Sequence, residues 1–253
     1  MSAPALRFTV LGSGTAVPDP ARGAAGFLVE VGDLAWLVDG GTGTLRRCAQ
    51  AGRDPRTLDG GVYSHFHPDH CADLVPLLFA MRMPPERARD YPIVAGAGFR
   101  RLFDGLCEAW GKWIRPAAGV SVTELSLDGP DEVVLGPLTL TTRPANHSAG
   151  ALHLRFEAGG RAVVFSGDTG PSEALAALAA GADLLVCECA SSPAAPIPGH
   201  LDAHQVAAIV DQARPAAVWL THLYPEVDPE HALRTVAATG VPVRRADDLD
   251  RFE

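Results

Sequence analysis

The stretch Tyr63-Ser64-His65-Phe66-His67-Pro68-Asp69-His70 constrains this chain more than any other part of it. Three histidines and an aspartate leave the backbone almost together, directly after the apolar run Gly61-Val62-Tyr63. Side chains repeat every two residues along a strand, so at a strand end His65 and His67 point the same way. Pro68 suits the first position of a helix and an acidic group is favoured in its first turn, which sets Asp69 and His70 at the mouth of the helix that follows. Two ligands from a strand end and two from the next turn can serve two adjacent ions. Neutral imidazole with carboxylate is donor chemistry for zinc, iron or manganese. A merely solvated loop gives no reason for such crowding, so a metal centre is expected here.

His-x-His-x-Asp-His after a short strand resembles the motif of the metallo-β-lactamase-fold hydrolases, and further motifs follow in order. Asp39-Gly40-Gly41-Thr42-Gly43 precedes it; Asn146-His147-Ser148, Ser166-Gly167-Asp168-Thr169, Gly199-His200 and Thr221-His222 come after. Along nearly its whole length the chain resembles the ribonuclease Z-like and phosphodiesterase branch, including the opening Leu11-Gly12-Ser13-Gly14-Thr15-Ala16-Val17-Pro18. The resemblance implies an α/β fold, a four-layer αββα sandwich, with metals at one edge between the sheets. Transferred motif by motif, His65, His67 and His147 would hold one metal, and Asp69, His70 and His222 the other, with Asp168 bridging. Seven ligands are too many for one four-coordinate zinc. The implied cofactors are two divalent ions, zinc first, with manganese or iron as alternatives. The resemblance also gives Asp39 a supporting role under the histidine loop and turns His200 toward a substrate phosphate. It sets the loop after the first strand at the rim of the site and favours a homodimer.

The chain's 253 residues, 47% of them hydrophobic, can bury a large core and are expected to form one domain over residues 1–253. The N-terminus shows no basic leader followed by an apolar segment, and no run is long enough to cross a bilayer. A soluble, cytoplasmic protein with no membrane partner is expected. Five cysteines, odd in number and without a Cys-x-x-Cys pair, argue against a disulfide framework. Cys187-Glu188-Cys189 reads as a buried strand end. A net charge of −9 without a basic cluster is a poor surface for a polyanion. Nucleic acid is therefore expected to be an unlikely partner and a small molecule the substrate.

Strands are expected over residues 6–11, 93–95, 120–127, 132–135, 138–142, 161–165, 182–187 and 216–220, and a hairpin over 26–31 and 34–38 around Gly32-Asp33. Helical spacing marks 44–52, 71–83, 98–113, 172–180 and 228–239, and Asp202 suits the N-cap of a helix running to Ala213. Phe99, Phe103, Trp110 and Trp113 read mainly as core, with a pocket wall as the alternative. His153 and His204 read as structural, and His231 as a surface residue.

A water held between two cations ionises near neutral pH and becomes a nucleophile, so no protein nucleophile is needed. None appears, since there is no Gly-x-Ser-x-Gly elbow and no Cys/His pair. Asp69 and His200 are the candidate catalytic residues, His200 to bind or protonate a phosphodiester. The expected activity is that of a phosphodiesterase on a small phosphodiester such as a cyclic nucleotide. A metal-dependent acyl hydrolase (lactonase, esterase or thioesterase), a ribonuclease Z-like RNA-processing nuclease and a non-catalytic metal-binding protein remain as alternatives. Transfer-RNA-processing members of the group carry a long Gly/Pro-rich arm between the third and fourth motifs, and here only residues 148–166 lie there.

Overall fold

In the computed structural model, which describes residues 5–84, 88–116 and 118–253, alternation of apolar side chains builds two sheets that share one core and are covered on their outer faces by helices. The strands of the first sheet are β1 (Leu6–Gly12), β2 (Gly26–Val31), β3 (Leu34–Val38), β4 (Gly60–Tyr63), β5 (Tyr91–Gly96) and β6 (Val120–Leu125). Those of the second are β7 (Asp131–Leu135), β8 (Leu138–Pro144), β9 (Leu152–Ala158), β10 (Arg161–Phe165), β11 (Leu184–Glu188), β12 (Val218–Thr221) and β13 (Val243–Arg245). The last strand, β14 (Arg251–Phe252), returns to the first sheet and pairs with β1. The orders are β14-β1-β2-β3-β4-β5-β6 and β13-β12-β11-β10-β9-β8-β7.

Leu6, Phe8 and Val10 of β1 enter the layer between the sheets, whereas Leu11 faces the helices. In β10, Val163 and Phe165 point inward and Ala162 and Val164 outward. Phe27 links the layers, its ring centroid 5.3 Å from Phe8 and 4.5 Å from Phe165. Truncating such a ring costs about 3–5 kcal/mol. Helices α1 (Thr44–Gln50), α2 (Pro68–Cys71), α3 (Leu74–Ala80) and α4 (Phe99–Trp110) lie with the first sheet, and α5 (Glu173–Ala179), α6 (Ala203–Ala213) and α7 (Pro229–Ala237) cover the second. This is the four-layer αββα sandwich that the sequence resemblance implied.

The hairpin of β2 and β3 falls where the turn chemistry set it, with Gly32 at φ 62°. Asp202 caps α6 through a capping box with Gln205, its carboxylate accepting the N–H groups of His204 and Gln205. The helix expected over 71–83 is interrupted, because α2 ends at Cys71 and α3 begins at Leu74. Asp73 explains the break. Its own N–H donates to the Gly40 carbonyl (2.8 Å), and its carboxylate accepts from the N–H groups of Gly43 (3.1 Å) and Leu45 (3.0 Å). Phe99 is buried and stacks on Tyr63 at 5.1 Å, but Trp110 and Trp113 are half exposed. The core reading of those tryptophans is thus corrected. Trp110 closes α4 after Glu108 and Ala109, all three exposed.

β3 and β4 run parallel, as do β10, β11 and β12. Their C-terminal ends release Asp39, His65, Ser166, Glu188 and His222 at one edge of the sandwich, where parallel α/β sheets place their sites.

Candidate metal centre

β4 ends at Tyr63, and Ser64 to His70 turn through an extended His67 into α2, with Pro68 at its first position. His65 and His67 do share a direction, their inward nitrogens 3.2 Å apart. His147 arrives from the loop after β8, its Nε2 3.2 Å from His67 Nδ1. On the other side Asp69 Oδ2 lies 3.2 Å from His222 Nε2, and His70 Nε2 lies 3.3 Å from that same nitrogen. Asp168 Oδ2 stands between the groups, 3.6 Å from His65, 3.4 Å from His70, 3.6 Å from His222 and 4.0 Å from His147. All seven residues named from the sequence as metal candidates lie in one cluster, whose groupings of converging donor atoms are His65, His67, His147 and Asp168, then Asp69, His70 and His222, and also Asp168, His200 and His222.

Supporting bonds fix the rings. Asp39, fully buried, accepts from Ser64 N–H, Ser64 Oγ–H and His70 Nδ1, each at 2.7 Å. His65 Nδ1 contacts Ser64 Oγ at 3.1 Å, and His147 Nδ1–H donates to the Gly199 carbonyl at 2.9 Å. With Nδ1 engaged, the Nε2 lone pairs of His65, His70 and His147 face inward, as in metal-binding histidines whose outer nitrogen is held by a second group. Asp39 and His222 both take left-handed backbone angles, φ 55° and 57°, which cost non-glycine residues free energy and are retained where the surroundings force them. Gly41 is needed for closeness: a Cβ there would lie 2.0 Å from the Asp69 carbonyl oxygen.

The donor set fits divalent cations. Ligands about 2.0–2.1 Å from a tetrahedral metal lie roughly 3.3 Å apart, and the contacts at 3.2–3.3 Å match that spacing. Nitrogens that converge without protons to share repel one another unless positive charge stands between them. His222 Nδ1 is buried without a partner, so the ring is oriented through Nε2. Burial alone would raise the Asp168 carboxyl, but the rings of His222, His70 and His65 around it hold it well below the usual carboxylate range.

His200 sits beside this cluster, its ring 4.9 Å from His147 and 5.8 Å from His222. Its Nδ1–H donates to Glu188 Oε1 at 3.0 Å. Glu188 is fully buried and also accepts from Thr169 N–H (2.7 Å), Ala190 N–H (3.0 Å) and Leu201 N–H (3.3 Å). Burial disfavours the imidazolium of His200, yet the hydrogen bond and charge of Glu188 outweigh it, and its pKa lies above the ordinary 6.5. Sequence reasoning passed over Glu188, taking residues 187–189 as a plain strand end. The signal was there, since acidic residues are almost never fully buried unless paired. His153 is buried in β9, whereas His204 and His231 are exposed, their rings 6.0 Å apart and outside the cluster.

Residues 35–223 match the family described as Beta-lactamase superfamily domain. The chain belongs to this superfamily. Among superfamily relatives, "Ribonuclease Z" of Mycobacterium bovis (strain BCG / Pasteur 1173P2) is 30% identical over 274 residues, covering 98% of each chain. The metallo-beta-lactamase fold protein YhfI from Bacillus subtilis superposes with a TM-score of 0.85 at 24% identity over 99% of each chain. Human tRNase Z, short form, gives 0.79 at 19% identity over 98% of each, and a diphosphatase from the PhnP family gives 0.75 at 20% over 98% of each. This superfamily member is a metal-dependent hydrolase, similar along its length to relatives named Ribonuclease Z. One expectation is overturned: nucleic acid is not an unlikely partner, because relatives named Ribonuclease Z match end to end. Net charge misled because it averages the whole surface, while Arg22, Arg46 and Arg47 lie together beside Asp69. Among the described residues no helix is long and apolar enough to cross a membrane.

Proposed function

We propose that this chain is a metal-dependent phosphodiesterase acting on a small nucleotide phosphodiester. His65, His67 and His147 would hold one divalent cation and Asp69, His70 and His222 another, with Asp168 shared. When bound, the cations supply Lewis acidity and lower the pKa of a water. The protein's own groups supply proton transfer and orientation. Asp69, whose side chain is more exposed than that of Asp168, accepts a proton from the attacking water. His200, held at Nδ1 by Glu188, keeps Nε2 free for a phosphoryl oxygen or the leaving oxygen.

The His200–Glu188 pair is the observation that carries this reading over an acyl hydrolase. The hydrogen bond from Nδ1 to the buried Glu188 carboxylate favours the protonated imidazole, which suits an anionic diester with an alkoxide to protonate. A neutral ester carbonyl gains less from it. Thiol chemistry is disfavoured, because burial pushes Cys71 and Cys189 up to about 12. Hydrolysis of bis-p-nitrophenyl phosphate and cyclic AMP should be measured beside p-nitrophenyl acetate and a homoserine lactone, with zinc or manganese supplied and metal content assayed. Faster turnover of the acetate or the lactone would sink the phosphodiesterase reading.

RNA cleavage is the second reading, favoured by the relatives named Ribonuclease Z. Between His147 and Asp168 the chain is occupied by the β9–β10 hairpin, so an RNA substrate would be held by surfaces other than an arm at that position. Metal-dependent cutting of a 3′-extended transfer RNA, with salt-sensitive binding, would establish it.

A further inference from the structure

A cleft of about 500 Å³ shares Asp69 with the metal centre. Pro18 and Asp19 of the loop after β1 line one part of it, and Thr42 and Arg46 at the start of α1 another. That volume falls in the range of small-ligand sites, roughly 300–1,000 Å³. Three guanidinium groups border the cleft, and two are already committed. Arg22 donates to Ser13 Oγ and the Ala246 carbonyl, both at 2.6 Å, and to Asp247. Arg47 donates to Asp248 Oδ2 (3.0 Å), Gln50 Oε1 (3.0 Å) and the Ala21 carbonyl (3.3 Å). Arg46 is exposed and has no partner among the described residues. The walls are held in place by Asp248, which also accepts from Ser13 N–H (2.9 Å) and Gly23 N–H (2.8 Å). Besides Asp69, the cleft's one carboxylate is Asp19, which accepts from Ala21 N–H at 2.7 Å.

We propose that this cleft is a second substrate subsite, in which Arg46 takes another anionic group of a diester being cleaved beside Asp69. The proposal rests on the phosphodiesterase reading and narrows it to nucleotide diesters that carry a further phosphate. Arg46 presents a planar fork of donors matched to phosphate, and no internal carboxylate competes for it. The shared chemistry has two sources, a terminal phosphate on a small nucleotide or the next linkage of an oligonucleotide.

The test uses the metal-loaded protein and thymidine 5′-(p-nitrophenyl phosphate) with and without a 3′-phosphate. The 3′-phosphate should lower KM about five- to tenfold, the size of a charge-assisted contact discounted for exposure. Arg46→Gln should bring the ratio of the two KM values close to one, and Asp19→Asn should widen it. A third ester, with the second phosphate in a linkage to another thymidine, separates the sources. Equal sensitivity to Arg46→Gln points to an oligonucleotide backbone, and sensitivity of the monoester alone points to a terminal phosphate. Calorimetry with thymidine 3′,5′-bisphosphate against thymidine 5′-phosphate supplies a readout that needs no turnover, and Arg46→Gln should erase the difference in affinity. The subsite is overturned if the 3′-phosphate changes neither KM nor affinity, or if Arg46→Gln leaves both differences intact. Failure of every ester to release p-nitrophenol with both metals bound would sink the phosphodiesterase reading itself, while the calorimetry would still report on the cleft.

Discussion

His153 ties the folding of β9 to the Asp168 motif, and acid should loosen that tie by a calculable amount. Its Nδ1–H donates to the Ser166 carbonyl at 2.6 Å, and its Nε2 lies 3.0 Å from Ser172 Oγ, which itself accepts from Leu175 N–H at the start of α5. Complete burial pushes the imidazole pKa down from 6.5 to about 4, despite the bond to Ser166. The unfolded chain therefore takes up a proton below pH 6.5, while the folded chain does not until about pH 4. Stability from this group is present above pH 6.5 and lost as the pH falls between those values. Linkage gives a full loss of about 3 kcal/mol, of which about 2 kcal/mol is gone by pH 5. The clean measurement compares the unaltered protein with His153→Asn, whose amide can still donate to Ser166 but does not titrate. Urea unfolding at pH 7 should show the variant less stable by about 2–4 kcal/mol, from lost packing and the lost contact with Ser172. At pH 5 the gap should shrink by about 2 kcal/mol, because the variant escapes the histidine penalty. Other titrating groups and released metal affect both proteins alike and cancel. A gap that changes by less than about 0.5 kcal/mol, or that widens in acid, refutes the claim that His153 folds in its neutral form.

Asp168→Ala should lose both metal and activity, as elemental analysis beside rate measurement would show. His200→Ala should keep both metals while turnover of bis-p-nitrophenyl phosphate falls by about 10²- to 10⁴-fold, the usual worth of a general acid. Glu188→Gln should also retain metal but lower kcat by about tenfold or more, since the neutral amide holds the His200 proton less firmly; an unchanged kcat would remove Glu188 from the mechanism. In Gly41→Ala the new methyl must displace the Asp69 carbonyl, costing about 1–3 kcal/mol of stability and reducing metal occupancy. Normal metal content in that variant would show that the Asp69 turn can yield.

The legible part of this chain was the part in which each residue acts through its neighbours in sequence. His65, His67, Asp69 and His70 lie on one strand end and one turn, so the pleat and a proline sufficed to aim them. Asp202 likewise announced its helix through groups three residues away. His147, Asp168 and His222 carried little signal singly and became readable only through the order of their motifs, because what unites them is sheet topology. Asp73 and Glu188 stayed hidden for a related reason. The partners of Asp73 are the N–H groups of Gly43 and Leu45, 30 and 28 residues earlier, and no local pattern reveals that a carboxylate will turn away from its own helix. Glu188 stands in an apolar run that reads as β11, and its partners at Thr169 and His200 belong to loops that meet only because β10 and β11 run parallel. The substrate preference posed a different obstacle. Net charge sums every exposed side chain, yet the proposed diester would meet only the cleft at Asp69, where two of the three bordering guanidiniums are paired with Asp247 and Asp248. Which arginine is left open to a ligand depends on contacts spanning some two hundred residues, so it becomes visible only once the C-terminal segment is seen folded back against the loop after β1.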